Sequence, residues 1–167
     1  MNKTTMSCAA LLAVASLAGC ARPAPAKPAA DTAKAAEAVK ADAHQLVADL
    51  NAHDADKAVA HDASDEVSIF HGAPNSVGLA ADLATTRQLL ADPLAKITVS
   101  DESVDVAASG DMAVYRASYL YDFTDPKTKK PGSEHGNWLV GYRAQSDGSW
   151  KIAWNVVSDT PAPAAAK

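Results

Sequence analysis

Residues 112–124 read Met-Ala-Val-Tyr-Arg-Ala-Ser-Tyr-Leu-Tyr-Asp-Phe-Thr. Taken alternately, Ala113, Tyr115, Ala117, Tyr119, Tyr121 and Phe123 form one face, and Met112, Val114, Arg116, Ser118, Leu120 and Asp122 the other. A period of two marks a strand whose faces differ in polarity. The first face is the more apolar and is expected to point toward helices. Alanines between its rings suit a strongly curved sheet, because Ala leaves room where strands bend inward. Three further segments share this period, at 96–106, 136–143 and 149–158. Ser109-Gly110-Asp111 and Ser146-Asp147-Gly148 are tight turns, and 125–132 (DPKTKKPG) is a longer polar hairpin. Strands joined in this way pair antiparallel. Of the nine aromatic residues only Phe70 lies outside the span from Tyr115 to Trp154, so the sheet carries the rings.

Upstream the period becomes helical. Asp31 is a candidate N-cap, and Val39, Ala43, Leu46, Val47 and Leu50 follow at helical spacing, with Lys40, Asp42, Gln45 and Asp49 on the opposite face. Asn51-Ala52-His53-Asp54 interrupts the pattern, and Asp54 is expected to cap a short helix to about residue 62. Residues 66–71 have β character. A third helix is predicted over 79–91, with Leu79, Leu83, Thr86 and Leu90 on one stripe and Pro93 just beyond. The class is therefore α+β: three helices, then an antiparallel sheet. The chain has no βαβ alternation, no dinucleotide-type glycine loop and no phosphate-binding loop.

The ends read differently. Lys3 precedes a short apolar run at 8–17, too short for a permanent span, which needs about 20 apolar residues. Residues 1–19 have the layout of a secretory signal. Leu17-Ala18-Gly19-Cys20 resembles a bacterial lipobox, which implies cleavage before Cys20 and acylation of its sulfur and new amino group. Cys8 would leave with the signal, so the mature domain would have no free thiol and no disulfide. Residues 20–31 hold Pro23, Pro25 and Pro28 and read as an extended tether to a domain at 32–160; 161–167 (PAPAAAK) is a disordered tail. Ala21 stands where an acidic inner-membrane retention residue would be, which by resemblance favours the periplasmic face of the outer membrane. The formal charge is −5, and −6 once Lys3 and the leader are removed. That balance argues against nucleic acid as a partner, since phosphate backbones call for clustered Lys and Arg.

The order of elements carries a family resemblance on four motifs. These are Leu50-Asn51-Ala52-His53-Asp54-Ala55-Asp56 at the helix joint, Ser109-Gly110-Asp111-Met112-Ala113, Asp122-Phe123-Thr124-Asp125-Pro126, and Asp147-Gly148-Ser149-Trp150-Lys151-Ile152. Over about residues 33–159 the chain resembles the nuclear transport factor two-like superfamily, which includes ketosteroid isomerases, SnoaL-type cyclases and many small bacterial domains. The resemblance implies a cone of strongly curved antiparallel sheet wrapped around three N-terminal helices, a pocket at its open end and dimerisation through the sheet. In the ketosteroid isomerases a helix Tyr, a first-strand Asp and a late-strand acid do the chemistry. Here those roles fall on Leu46, on Val67-Ser68-Ile69-Phe70-His71 with no carboxylate, and near Gly136-Asn137. Steroid-isomerase chemistry is not supported.

His71 is the candidate general base, since imidazole titrates near neutrality. Phe70, Tyr119, Trp138, Trp154 and Asn155 are the candidate pocket residues. His53 and His61 lie among Asp54, Asp56, Asp62 and Asp65 without a metal-ligand spacing, so this stretch reads as a solvated acidic face. No metal or cofactor is assigned. Arg87 is expected to pair with Asp82 or Asp92, and Lys127, Lys129 and Lys130 form a small basic loop. No nucleophile elbow surrounds any Ser. The favoured reading is a lipid-anchored, non-catalytic module binding a small apolar ligand. The alternatives are a lyase, isomerase or cyclase using His71, and a protein-interaction module built on a sheet-mediated homodimer.

Overall fold

Helix α1 (Thr32–Asn51) starts where the Asp31 carboxylate accepts the backbone N–H of Lys34 at 3.0 Å. This satisfies one of the donors a helix start leaves open. His53, at φ 55°, turns the chain, and Asp54 caps the short helix α2 (Ala55–Val59). Strand β1 (Asp62–Phe70) follows directly, earlier than the β character at 66 predicts. Pairing causes the early start: Ile152 donates its N–H to the His61 carbonyl at 3.0 Å and Asp62 registers with Ile152. Tertiary partners here override a polar local composition. Strand β2 (Ser76–Val77) folds back on β1 and leads through Gly78 into α3 (Leu79–Leu90). Four long strands complete the chain: β3 (Lys96–Val106), β4 (Met112–Thr124), β5 (Pro131–Ala144) and β6 (Trp150–Asp159). Strand β5 begins at Pro131, not near 136, because its ladder with β4 continues to Thr124↔Pro131.

This is a computed structural model, and it describes residues 31–160. The signal at 1–19, the lipidation site Cys20, the tether as far as residue 30 and the tail at 161–167 lie outside the described residues. No described helix is long and apolar enough to cross a membrane.

The six strands form one sheet in the order β2-β1-β6-β5-β4-β3. It is mixed, which corrects the expectation of an antiparallel sheet: β1 and β6 run parallel, with Ser68 opposite Asn155, and the other pairs are antiparallel. The hairpin argument covers only strands adjacent in sequence. The meander from β3 to β6 returns the chain beside β1, and its parity sets the direction.

One face of the sheet packs on α1. Val39, Ala43 and Leu46 meet Ala113, Tyr115, Ala117, Tyr119, Trp138, Val140, Tyr142 and Ile152 in the main core. The ring-bearing face of β4 is the one buried, with Tyr115 edge-on to Trp138 at 5.9 Å and 82°. Burying a side chain such as Val39 contributes roughly 1.5–3 kcal/mol. A smaller cluster of Ala55, Leu90 and Ala95 joins α2 and α3 to the start of β3.

Candidate functional site

The helices do not fill the sheet's inner face. A cavity of about 240 Å³ remains beyond the α1 end of the core. Its walls are apolar: Leu50 from α1, Leu89 from α3, Ile97 from β3, Tyr121 from β4, Val157 from β6, and Phe70 at the end of β1.

One polar group sits at the rim. The Tyr119 hydroxyl donates to Glu134 Oε1, and His71 Nε2 lies 3.3 Å from Glu134 Oε2. Gly136 makes this possible, since a Cβ there would come 2.1 Å from the Ser158 carbonyl oxygen and 2.5 Å from the Tyr119 ring. Burial, then hydrogen bonding to Glu134, pushes the Tyr119 pKa up, so its phenol remains a donor. The His71 and Glu134 side chains are 40% and 29% exposed, which places them at the opening. Sequence reasoning missed Glu134. It shares a face of β5 with Trp138, and that even-numbered spacing was the available signal.

A second polar line runs from the cavity into the interior. Trp138 Nε1–H donates to Asn155 Oδ1 at 2.5 Å, Asn155 Nδ2–H to Ser68 Oγ at 3.3 Å, and Ser68 Oγ–H to Glu66 Oε1 at 2.7 Å. The parallel pairing of Ser68 with Asn155 assembles it. Glu66 is fully buried, and its second oxygen has no hydrogen-bond partner. Burial pushes its pKa up to about 7, with Asp82 adding to the rise and the Ser68 hydrogen bond opposing it. Asp62 is pushed up to about 9 by burial and then by Asp82 and Glu66. Oxygens of Asp62, Glu66 and Asp82 lie within 4.8 Å of one another. Hard cations such as Ca²⁺ take oxygen ligands at about 2.3–2.6 Å, so this spacing could hold one. The solvated acidic face expected around Asp62 is corrected in part: entry into β1 leaves Asp62 half-buried beside the buried Glu66 and Asp82, while Asp56 and Asp65 are exposed.

His61 is not solvated either. Its Nδ1 lies 2.8 Å from Asp42 and its Nε2 3.1 Å from Asp49. The bond to Asp42, more than that to Asp49, raises the His61 pKa against the opposing effect of burial. Two carboxylate partners leave both ring nitrogens as donors, which is the imidazolium form.

The structure brings Phe70, His71, Tyr119, Trp138 and Asn155 to one cavity. Trp154 is not among them. Adjacent strand residues point to opposite faces, and a register shift turns Trp154 away from the core residue Ile152. Its ring instead covers Gly141, where a Cβ would lie 1.8 Å from the indole. Arg87 pairs with Asp56 at 2.9 Å, not with Asp82 or Asp92. Asp82 is buried, and Asp92 accepts the backbone N–H groups of Leu94 and Thr124.

Residues 38–163 match the SnoaL-like domain family, and the chain belongs to it. Its architecture is that of the nuclear transport factor two-like, ketosteroid isomerase-like superfamily. A ketosteroid isomerase-like protein from Erwinia carotovora is 20% identical, with a TM-score of 0.64 over 76% of this chain and 96% of that one. An NTF2-like protein with a cystatin-like fold from Novosphingobium aromaticivorans is 20% identical, with a TM-score of 0.62 over 78% and 84%. An NTF2-like superfamily protein from Salmonella enterica is 10% identical, with a TM-score of 0.65 over 81% and 99%. At these identities the likeness is one of fold. No curated protein matches the chain.

Proposed function

We propose that this SnoaL-like domain is a binding module of the bacterial cell envelope, tethered to the outer membrane through acylated Cys20, that takes a small, largely apolar molecule. The observation that carries the reading is the apolar cavity of about 240 Å³ with its few polar groups gathered at the rim and around Asn155. Pockets of this composition gain affinity from area removed from water and orientation from a few polar contacts. Native mass spectrometry of the full chain extracted from membranes tests it. The expected spectrum shows loss of residues 1–19, an acyl increment that Cys20→Ser removes, a dimer mass, and a non-covalent adduct lost on denaturation. A bare mass, with no change in Trp fluorescence on adding an apolar dye, overturns the ligand reading.

A second reading has its own support in the contact between His71 and Glu134. An imidazole beside a carboxylate at the mouth of an apolar cavity suits proton abstraction next to a carbonyl, the chemistry of isomerases and lyases. This reading predicts exchange of the α-protons of an enolisable ketone for deuterium, abolished in His71→Gln. Equal exchange by wild type and variant overturns it.

A further inference from the structure

We infer that the cavity's ligand presents a neutral acceptor oxygen, such as a ketone or ether, to the side-chain N–H of Asn155, and that Glu66 is the positioning residue that fixes this donor. The inference rests on the small-ligand reading and specifies its chemistry.

The argument follows hydrogens along the polar line. An indole N–H only donates, so the Asn155 atom facing Trp138 is its carbonyl oxygen. The amide nitrogen therefore faces Ser68, whose oxygen accepts from it. Ser68 has a single proton, and it goes to Glu66 Oε1. With Trp138 at one end and Glu66 at the other, the amide cannot flip without placing donor against donor. Asn155 has two N–H groups and Ser68 takes one; among the described residues none takes the second. Asn155 borders the cavity, so the unclaimed donor belongs to whatever fills it.

Charge narrows the ligand further. Behind Asn155 the line ends on the acidic group of Glu66, Asp62 and Asp82, and the opening carries Glu134. A carboxylate or phosphate would meet the Glu134 carboxylate at the opening and, at the inner end, would bring a further charge up to acids whose ionisation burial already disfavours. A neutral oxygen on an apolar skeleton satisfies Asn155 without that repulsion, and the walls bury its carbon frame. Unlike the rim group of His71, Glu134 and Tyr119, this contact needs no proton transfer. It serves a binding protein and an enzyme equally.

Two probes of one skeleton test this on the full chain: α-tetralone and tetralin, which differ by a carbonyl oxygen. Trp fluorescence titration gives each affinity, and their ratio cancels the shared hydrophobic contribution. One hydrogen bond to a buried donor corresponds to a ratio change of about tenfold. Asn155→Leu is expected to lower the ketone-to-hydrocarbon ratio by about that factor. Glu66→Leu is expected to lower it in the same direction, whereas Glu66→Gln, whose amide oxygen still accepts from Ser68, retains the wild-type ratio. A loss of stability alone would not move the ratio in this pattern. In the wild-type chain, the Asn155 side-chain amide resonance should shift with α-tetralone and not with tetralin, which keeps the test open if Asn155→Leu does not fold. Binding of both probes with a ratio indifferent to Asn155→Leu overturns the inference and leaves the cavity reading standing. Failure of both probes to bind overturns the two together. Loss of the ratio in Glu66→Gln as well removes Glu66 from the role.

Discussion

His61 and Asp62 are neighbours in the chain, yet each leads into a largely buried polar group of opposite electrical character. His61 is held between Asp42 and Asp49, a cation flanked by two anions that ties α1 to the entry of β1. Asp62 joins Glu66 and Asp82, and the pKa values of Asp62 and Glu66 rise because burial there goes largely uncompensated. Lys151 opposes the rise at Asp62, and its ammonium also donates to the Ala60 carbonyl. The first group is strongest when charged. The second tolerates burial only while it holds protons or a counter-ion. Burial of a polar residue therefore says little about its contribution until its partners are counted.

The most severe test of this contrast is His61→Ala. It leaves Asp42 and Asp49 facing one another without the imidazolium, and urea unfolding at pH 6 should show a loss of about 3–5 kcal/mol. A loss under about 1 kcal/mol would mean that the clamp is ornamental. The converse change sits next to it: Glu66→Gln removes a buried acid that is costly to ionise. Raising its pKa from 4.5 to about 7 corresponds to roughly 3 kcal/mol at full ionisation, so the variant should be about 2–3 kcal/mol more stable than wild type at pH 8. Below pH 4 the two chains should converge.

The pH profile sharpens the comparison further. All three shifted groups have folded pKa values above their unfolded ones, so each contributes stability that is lost as pH rises. For Glu66 the loss spans about 4.5 to about 7, and for Asp62 about 3.8 to about 9. For His61 it begins above 6.5 and ends beyond its raised pKa. Thermal melts from pH 4 to 9 should fall steadily in wild type. Asp62→Asn combined with Glu66→Gln should remove the acidic part and leave a drop confined above pH 6.5. The smallest effect is expected at Arg87→Ala, where an exposed bridge to Asp56 at 2.9 Å should be worth under about 0.5 kcal/mol and fade with salt.

Much of the scaffold was legible because its signals are local. The alternation in β4, the caps at Asp31 and Asp54 and the turns at Gly110 and Gly148 each depend on residues a few positions apart. The candidates Phe70, His71, Tyr119, Trp138 and Asn155 border one cavity, whereas Trp154, next to Asn155 in β6, lies over Gly141 instead. Naming two adjacent strand residues for one pocket ignored the alternation of faces. Glu134 was passed over for positions near Gly136-Asn137, and Glu66 fell one residue outside the stretch searched for a carboxylate.

Period and capping, set by the geometry of neighbouring residues, determined the helices, the long strands and the side of the sheet that carries the rings. The parallel junction of β1 with β6 was beyond their reach, and with it the meeting of Ser68 with Asn155, the acid trio and the clamp on His61. Those depend on which distant segments come to lie side by side. The field and hydrogen-bond partners of a buried group are supplied by whatever packs against it, and only the closed fold specifies those neighbours.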